Sequence, residues 1–299
     1  MPATSAPTAS ARQAALEARE RLLSDLPLVE RRVELAGIST TVLEAGEGQP
    51  LVLLHGPGEH APKWLRVVPA LAERHHLIAP DLPGHGESPV SDGPLDAGRA
   101  LAWLAELIDR GCESPPVVVG QILGGAIAAR FAADHSDCVA GLVLVDALGL
   151  VPFAPAPEFG QALMQFIASP DEQTHDGLWQ HCAADLDKLR AAMGTKWEAL
   201  KAYNLDRASA PDVQAAQHAL MGAFAMEAVA PERLERITAP TALIWGRHDL
   251  ATPLASARRI SERYGWPLEI IDGAGDDPPI EQPEPFVRAL HQIIDDRMT

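Results

Sequence analysis

The chain has 299 residues, 47% of them hydrophobic and 22% charged, which is typical of a globular protein with a large core. Its formal net charge is −17, so phosphate backbones and anionic lipid would repel it, and we expect neither nucleic acid nor membrane as a partner. Three cysteines form no CxxC pair and no zinc pattern, and the first residues lack the apolar stretch of a signal peptide. These features predict a cytoplasmic protein without a metal or another cofactor.

The chain begins with a segment, residues 1–30, that predicts a polar tail and one short helix. Residues 1–10 are rich in Ala, Ser, Thr and Pro and are expected to be disordered. Residues 11–24 follow with a charged helical pattern. Residues 33–46 then contain two strand patterns around a Gly turn, which predict a β-hairpin.

Short runs rich in Val, Ile and Leu come next, each stopped by Gly, Pro or Asp, and helical patterns separate most of them. Such runs are typical of strands that are buried on both faces of a sheet. Their alternation with helices predicts an α/β fold, a mostly parallel sheet with helices on both faces. The runs occupy residues 49–56, 76–84, 115–120, 139–147, 241–246 and 268–275.

Residues 148–236 interrupt this alternation, because they contain several helical patterns and no convincing strand. They predict a helical cap inserted after the sixth strand, between core segments 31–147 and 237–299. The cap is expected to lie over the C-terminal edge of the sheet, where open α/β sheets bind their ligands. The aromatic residues that we expect to line a cavity under it are Trp179, Trp197, Tyr203 and Phe224.

Several motifs, in this order along the chain, resemble those of the α/β-hydrolase fold superfamily. LLHGPG (53–58) is similar to its strand-end His-Gly loop, and APDLPGHGES (79–88) to its D-x-x-G-x-G-x-S loop. VVVGQILGGAIAARFA (117–132) stands at the place of the nucleophile elbow. IWGRHDLATP (244–253) and IDGAGDDPPIEQPEPF (271–286) resemble the acid and histidine loops. The resemblance implies a nucleophile in a G-x-S-x-G turn, a histidine that takes its proton and a carboxylate that orients the histidine.

Two of these three groups are missing from the sequence. Ile122 occupies the central position of the elbow, so an aliphatic side chain replaces the nucleophile. Asp276 stands where the resemblance places the histidine, while Asp249 remains at the acid position. A β-branched residue at an elbow is expected either to keep the positive φ of that turn or to relax it.

The His-Gly loop departs from the family as well. The residue that helps to bind an oxyanion in the family is here Pro57, which has no N–H, so Gly58 and Leu123 are the expected backbone donors. His55 is expected to hold the loop through its ring nitrogens. Further candidates for the pocket are Gln121, His60 and Lys63.

The acidic residues allow two interpretations. If Asp249 and Asp276 lie within a few ångströms of each other, the pKa of one is raised and that group can act as an acid or a base. Alternatively, Asp276 and Asp277 are solvated loop residues, and Asp249 binds Arg247 or a loop N–H.

The missing groups favour a non-hydrolytic enzyme on a hydrolase scaffold. It would bind a sizeable apolar carbonyl compound, such as a polyketide or aromatic natural product, under the cap and promote C–C bond formation, cyclisation, conjugate addition or isomerisation without a covalent intermediate. Its partners would be that small molecule and, as an open expectation, a second copy of the chain. Two alternatives stay open: a catalytically dead protein that binds a small molecule, and a hydrolase with a relocated nucleophile or an activated water.

Overall fold

The central feature of the fold is one eight-stranded sheet, seen in a computed structural model that describes residues 9–298. Its strand order is β1-β2-β4-β3-β5-β6-β7-β8. The two pairings that involve β2 are antiparallel, and the other five are parallel. The strands are β1 (Val29–Leu35), β2 (Ile38–Ala45), β3 (Gln49–Leu54), β4 (His75–Pro80), β5 (Val117–Gln121), β6 (Gly141–Val145), β7 (Thr241–Gly246) and β8 (Leu268–Ile271).

Helices surround the sheet and also fill the whole interval between β6 and β7. The helices are α1 (Ala9–Leu23), α2 (Val68–Ala72), α3 (Ala97–Gly111), α4 (Leu123–Asp134), α5 (Pro157–Ala168), α6 (Glu172–Cys182), α7 (Leu186–Met193), α8 (Thr195–Ala208), α9 (Pro211–Leu220), α10 (Pro231–Leu234), α11 (Leu254–Tyr264), α12 (Pro278–Glu281) and α13 (Pro283–Arg297). Short 3₁₀ turns span Ala61–Arg66 and Ser136–Cys138, and a π-helical turn spans Met221–Ala225. Within residues 9–298, every helix is too short or too polar to cross a bilayer.

The core lies in two apolar layers, one on each face of the sheet. Along β3, Leu51 and Leu53 belong to one layer and Val52 and Leu54 to the other, as the period of two in a strand requires. Helices α3, α4 and α11 cover one face, and α2 and α13 cover the other. The predicted α/β-hydrolase architecture, with a helical cap after the sixth strand, is confirmed.

The N-terminal helix α1 packs against the cap rather than standing apart as a tail. Ala18 and Leu22 join the apolar cluster of α8, and Arg12 bridges the two parts of the molecule. Its guanidinium donates to Asp206 of the cap at 2.7 Å and to Glu87 of the core at 2.6 Å. The expected disorder of residues 1–10 is therefore wrong for Ala9 and Ser10, which belong to α1; residues 1–8 lie outside the described part of the chain.

Candidate active site

The elbow between β5 and α4 keeps a strained backbone. Ile122 has φ 47° and ψ −103°, a conformation that β-branched residues rarely adopt. Its N–H donates to Val145 O at 3.0 Å, and its carbonyl accepts from Leu148 N–H at 3.1 Å, so the surrounding strands hold the turn in place. A Cβ added to Gly120 would stand 2.5 Å from Gly124 O, so only glycine fits at position 120 without a shift of the backbone. The elbow has lost its nucleophile but not its geometry.

Two backbone N–H groups next to the elbow are available as oxyanion donors. In the described chain, neither Leu123 at the first turn of α4 nor Gly58 has an acceptor for its N–H. Gly58 adopts φ 70°, and the side chain of Gln217 from the cap lies over it. Gly56 N–H is already used, because it donates to Glu59 Oε2 at 2.6 Å.

A buried lysine dominates the space beside the elbow. The side chain of Lys63 is only 3% exposed, and its ammonium group donates to both Glu59 oxygens at 2.7 and 2.8 Å and to Gln121 Oε1 at 2.6 Å. It also lies 3.2 Å from Asp277 Oδ1. Burial opposes the charged form, but Asp277 and Glu59 outweigh it and raise the pKa of Lys63. We call Lys63, Glu59, Gln121 and Asp277 the Lys63 network.

Gln121 links this network to the histidine loop. Its Nε2 donates to the carbonyl of Asp276 at 2.9 Å and to Asp277 Oδ1 at 3.1 Å. The interpretation of Asp277 as a solvated loop residue is therefore wrong, because its carboxylate is buried against the Lys63 ammonium. Burial, and then the carboxylate of Asp277, raise the pKa of Glu59, although Lys63 lowers it.

Asp249 forms its hydrogen bonds with its own loop and shares its surroundings with a second strand-end aspartate, Asp146. Asp249 Oδ1 accepts from the N–H groups of Ala251 and Thr252 at 2.7 and 2.8 Å, whereas Arg247 binds Asp272 instead. Burial raises the pKa of Asp249 to about 6. Burial and the neighbouring Asp249 raise the pKa of Asp146 well above its usual range.

Asp276 is a buried carboxyl without a cation beside it. It is 6% exposed, and within residues 9–298 no lysine, arginine or histidine forms an ion pair with it. Burial, followed by the carboxylates of Asp249 and Asp277, raises its pKa well above the usual range. The backbone N–H of Asp276 donates to the carbonyl of Cys182, at the end of α6, at 3.0 Å. Burial, followed by the charge of Asp276, raises the pKa of the Cys182 thiol. Asp276 is thus not a solvated loop residue.

The cap leaves only a small cavity over this site. Its volume is about 10 Å³, enough for roughly one water-sized group. The residues that line it are Glu59, His60, Lys63, Trp179, Leu200, Asn204, Asp277 and Ile280.

The other candidate aromatic residues lie outside this lining. Trp197 packs edge-on against Trp179 with ring centroids 5.1 Å apart. Tyr203 donates its hydroxyl to Glu87 at 2.6 Å, and Phe224 is buried in the core beside α4. These three side chains fill the cap instead of lining a large apolar cavity, because their faces are covered by neighbouring helices.

The two candidate histidines have different surroundings. His55 Nε2 accepts from Leu82 N–H at 2.9 Å, so its Nδ1 donates to Gly56 O at 2.8 Å and the ring fixes the loop. His60 lines the cavity, stacks on Tyr203 and lies 3.0 Å from Asn204 Oδ1. Burial lowers the pKa of His60 to about 3, so its ring is neutral.

Sequence analysis missed four residues of the site: Glu59, Asn204, Asp146 and Cys182. Two of them carried a signal, since Glu59 stands four residues before Lys63 at helical spacing and Asp146 ends a buried strand. Asn204 and Cys182 lie in the cap, where nothing local marks which side chains face the sheet. In the described chain, no group of three or more His, Cys, Asp or Glu side chains is arranged to hold a metal ion.

Comparisons with known proteins give a family match and relatives that are named as hydrolases and esterases. The family model of the alpha/beta hydrolase fold matches residues 49–283. The 2-hydroxy-6-oxo-6-(2'-aminophenyl)hexa-2,4-dienoic acid hydrolase of Metapseudomonas resinovorans is 28% identical, over 92% of this chain and 93% of the relative. The pimeloyl-acyl-carrier protein methyl ester esterase of Chromobacterium violaceum is 32% identical, over 84% and 96%. A bacterial membrane phospholipase A matches in fold alone, with TM-score 0.80 and 24% identity over 96% of this chain and 92% of that chain.

These relatives overturn the expectation of a non-hydrolytic enzyme. They are named as a hydrolase and as methyl ester esterases, from several bacteria. The expectation of C–C bond formation, cyclisation or natural-product biosynthesis is therefore wrong. The absence of a serine and a histidine excludes covalent hydrolysis through the elbow, but it does not exclude hydrolysis by a water molecule. The fold and the relatives support an enzyme.

Proposed function

This chain belongs to the α/β-hydrolase fold family, and we propose that it is a hydrolase in which a water molecule replaces the elbow nucleophile. The carboxyl pair Asp249 and Asp276 would activate that water. One observation carries the proposal: at the position of the family's histidine stands a buried carboxyl whose strongest electrostatic neighbour is another carboxyl. Because each charge disfavours ionisation of the other carboxyl, one group can be ionised and accept a proton while the other stays protonated and donates one.

In the proposed reaction each carboxyl of the pair transfers one proton. The ionised member of the pair takes a proton from water, and the water oxygen attacks the substrate carbonyl. The Leu123 N–H donates to the oxyanion that forms, with Gly58 as a second donor. The protonated member then gives its proton to the leaving alkoxide, so an ester and water become an acid and an alcohol.

A relocated side-chain nucleophile fits less well. Cys182 is the nucleophilic side chain nearest to Asp276, but burial and that carboxyl raise its pKa well above the usual range. A thiol that stays protonated is a poor nucleophile. Attack by water does not require a deprotonated nucleophilic side chain.

The substrate class follows from the relatives. One relative is named for a dienoic acid and others for a methyl ester, so a carbonyl compound, first of all an ester, is the substrate to assay. The cavity lining is mostly polar, which favours a substrate that presents a polar group to the Lys63 network.

The test is the pH profile of ester hydrolysis, using a panel of p-nitrophenyl esters. Because the pKa of Asp249 is raised to about 6, kcat/KM should rise as pH increases through about 6. Asp276→Asn should lower kcat/KM by about 10²–10⁴-fold. Asp296→Asn, which changes an exposed aspartate, is the control and should have no effect. Equal activity of the wild type and Asp276→Asn would refute the proposal.

A second candidate is a protein that binds a small molecule without converting it. The observation in its favour is the Lys63 network, which fills the space beside the elbow with ion pairs. Saturable ligand binding without hydrolysis at any pH from 5 to 9 would select this candidate over the first.

A further inference from the structure

The cavity beside the elbow has more acidic than basic side chains in its lining. Glu59 and Asp277 contribute carboxyl groups, and Lys63 contributes the single ammonium group of the lining. Asp276 and Glu281 lie next to this lining in the chain; burial raises the pKa of Asp276 well above its usual range and that of Glu281 to about 7. One lysine therefore faces several carboxyl groups, and the imbalance is relieved either by protons or by a bound cation.

The lining also contains an acceptor that lacks a donor. His60 is fully buried, and its Nε2 donates to Asn204 Oδ1, because that oxygen can only accept. In the neutral ring, Nδ1 is then an acceptor, and no donor reaches it within residues 9–298. A buried acceptor of this kind requires an N–H or O–H group from a ligand or a water molecule.

Two other cations act on His60, and both are already paired. The guanidinium groups of Arg19 and Arg207 lower its pKa further. Arg19 binds Glu30 at 2.6 Å, and Arg207 binds Asp206 at 2.6 Å. They do not neutralise the carboxyl groups of the cavity.

We infer that the cavity is a subsite for a primary ammonium group, and that the substrate of the proposed hydrolase carries an amine. An ammonium headgroup is water-sized, so it fits a cavity of about 10 Å³. Its three N–H donors match Glu59, Asp277 and His60 Nδ1, which are all acceptors. Trp179, Leu200 and Ile280 form the apolar part of the wall. The claim that the substrate carries an amine rests on the proposed hydrolase function, whereas the claim that the cavity binds an ammonium group does not.

The binding test uses methylammonium chloride as the probe. Thermal unfolding of the full chain is measured in methylammonium, tetramethylammonium or sodium chloride at equal ionic strength. Methylammonium should raise the unfolding midpoint saturably, and more at pH 8 than at pH 6, because ionised carboxyl groups bind the cation better. Tetramethylammonium, which is larger and has no N–H, should act like sodium. An equal response to all three salts overturns the inference and leaves a water-binding cavity only.

Three variants locate the binding. His60→Phe and Glu59→Gln should each weaken methylammonium binding by at least about tenfold, the loss of one charged hydrogen bond. Glu34→Gln changes an exposed glutamate on β1 and should bind like the wild type. If one of the first two variants does not fold, the other still decides. Unchanged binding in a folded His60→Phe or Glu59→Gln protein would place the methylammonium elsewhere and overturn the inference.

Hydrolysis separates this inference from the proposed function. The matched substrates are p-nitrophenyl 6-aminohexanoate and p-nitrophenyl hexanoate, and the aminated ester should have a kcat/KM at least about tenfold higher. Methylammonium binding without turnover of either ester would support the subsite and refute the hydrolase. Equal turnover of both esters without methylammonium binding would support the hydrolase and refute the subsite.

Discussion

The elbow and the histidine loop both lack the reactive side chain that the family motif implies, and they differ in how the remaining structure is built. At the elbow the backbone is intact: Ile122 retains φ 47°, and the glycines around it still allow the tight turn. In the histidine loop Asp276 and Asp277 are both buried: the side chain of Asp277 is held by Gln121 and Lys63, and Gln121 also donates to the backbone carbonyl of Asp276. The backbone of the elbow thus keeps the geometry of the motif, whereas buried carboxyl groups occupy the histidine loop, which is where we propose that proton transfer takes place.

The strain at Ile122 also bears on why this turn has not relaxed to an ordinary backbone conformation. A turn without a function would gain stability by relaxing, because a β-branched residue at positive φ costs about 1–2 kcal/mol. The strain persists because Ile122 is hydrogen-bonded on both sides: its N–H donates to Val145 O of β6, and its carbonyl accepts from Leu148 N–H of the following loop and from Ala126 N–H of α4. The oxyanion donor at Leu123 depends on this same turn, so its position is kept with it.

The histidine loop should be the more sensitive of the two regions to loss of one charge. Lys63→Met leaves the buried Asp277 and the partly exposed Glu59 without their cation, and we expect a loss of about 3 kcal/mol in the free energy of unfolding. The loss should be smaller at pH 5, because burial raises the pKa of Glu59 and that carboxyl takes up a proton more readily as pH falls. Chemical denaturation measures it.

The control for this change is Lys201→Met, which removes a lysine that forms ion pairs near the surface of the cap. Its cost should stay below about 1 kcal/mol. Similar costs for the two lysines would show that the Lys63 network is not desolvated.

The elbow should be sensitive to volume rather than charge. A Cβ on Gly124 would lie 2.6 Å from the carbonyl carbon of Leu54, so Gly124→Ala should lower the free energy of unfolding by about 1–3 kcal/mol. Gly177→Ala is the matched control, because that helical glycine has open space around its Cα. It should gain up to about 1 kcal/mol from better helix propensity. Denaturation curves that do not separate the two variants would contradict the tight packing of the elbow.

Asp276 should weaken the fold as pH rises. Its pKa is raised in the folded protein by burial and by Asp249 and Asp277, so the folded state binds more protons than the unfolded state above about pH 4. Stability from this group is present at low pH and is lost as pH increases. Asp276→Asn should therefore raise the melting temperature by a few degrees at pH 8 and hardly change it at pH 4, whereas Asp296→Asn should not change it at either pH. A stabilisation independent of pH would exclude this cause.

The smallest effect is expected from restoring the elbow alone. Ile122→Ser places a hydroxyl at the nucleophile position but leaves Asp276 in place of an imidazole, so it should not react with a fluorophosphonate probe. The double variant Ile122→Ser with Asp276→His brings back the base beside Asp249 and should be labelled. Labelling of the single variant would mean that another group already acts as the base, and an unlabelled double variant would mean that the elbow geometry is not competent.

The fold could be predicted from the sequence because local patterns determine it. Buried runs such as those of β3 and β5 and the motifs that follow them lie within single short segments. The identities of residues 122 and 276 were also readable, since each occupies a fixed place in a motif. The motif does not determine what a replacing residue does. The absence of a serine at position 122 and of a histidine at position 276 does not imply the absence of hydrolysis, and the prediction that it does was wrong.

The Lys63 network could not be predicted in the same way. The network joins three segments far apart in the chain, which contain Lys63, Gln121 and Asp277. A pattern within one segment does not indicate which residue of another segment it will contact. For the same reason Asp277 was taken as solvated. The cap presents a similar problem, because its aromatic residues pack on one another through tertiary contacts such as that of Trp179 with Trp197.

The central claim, hydrolysis by water without a covalent intermediate, is tested most directly by intact-protein mass spectrometry during rapid-quench turnover of an ester substrate. The account predicts product formation while the protein keeps its unmodified mass, with no burst and with loss of turnover in Asp276→Asn. An acyl adduct on any side chain of the protein during turnover would contradict it.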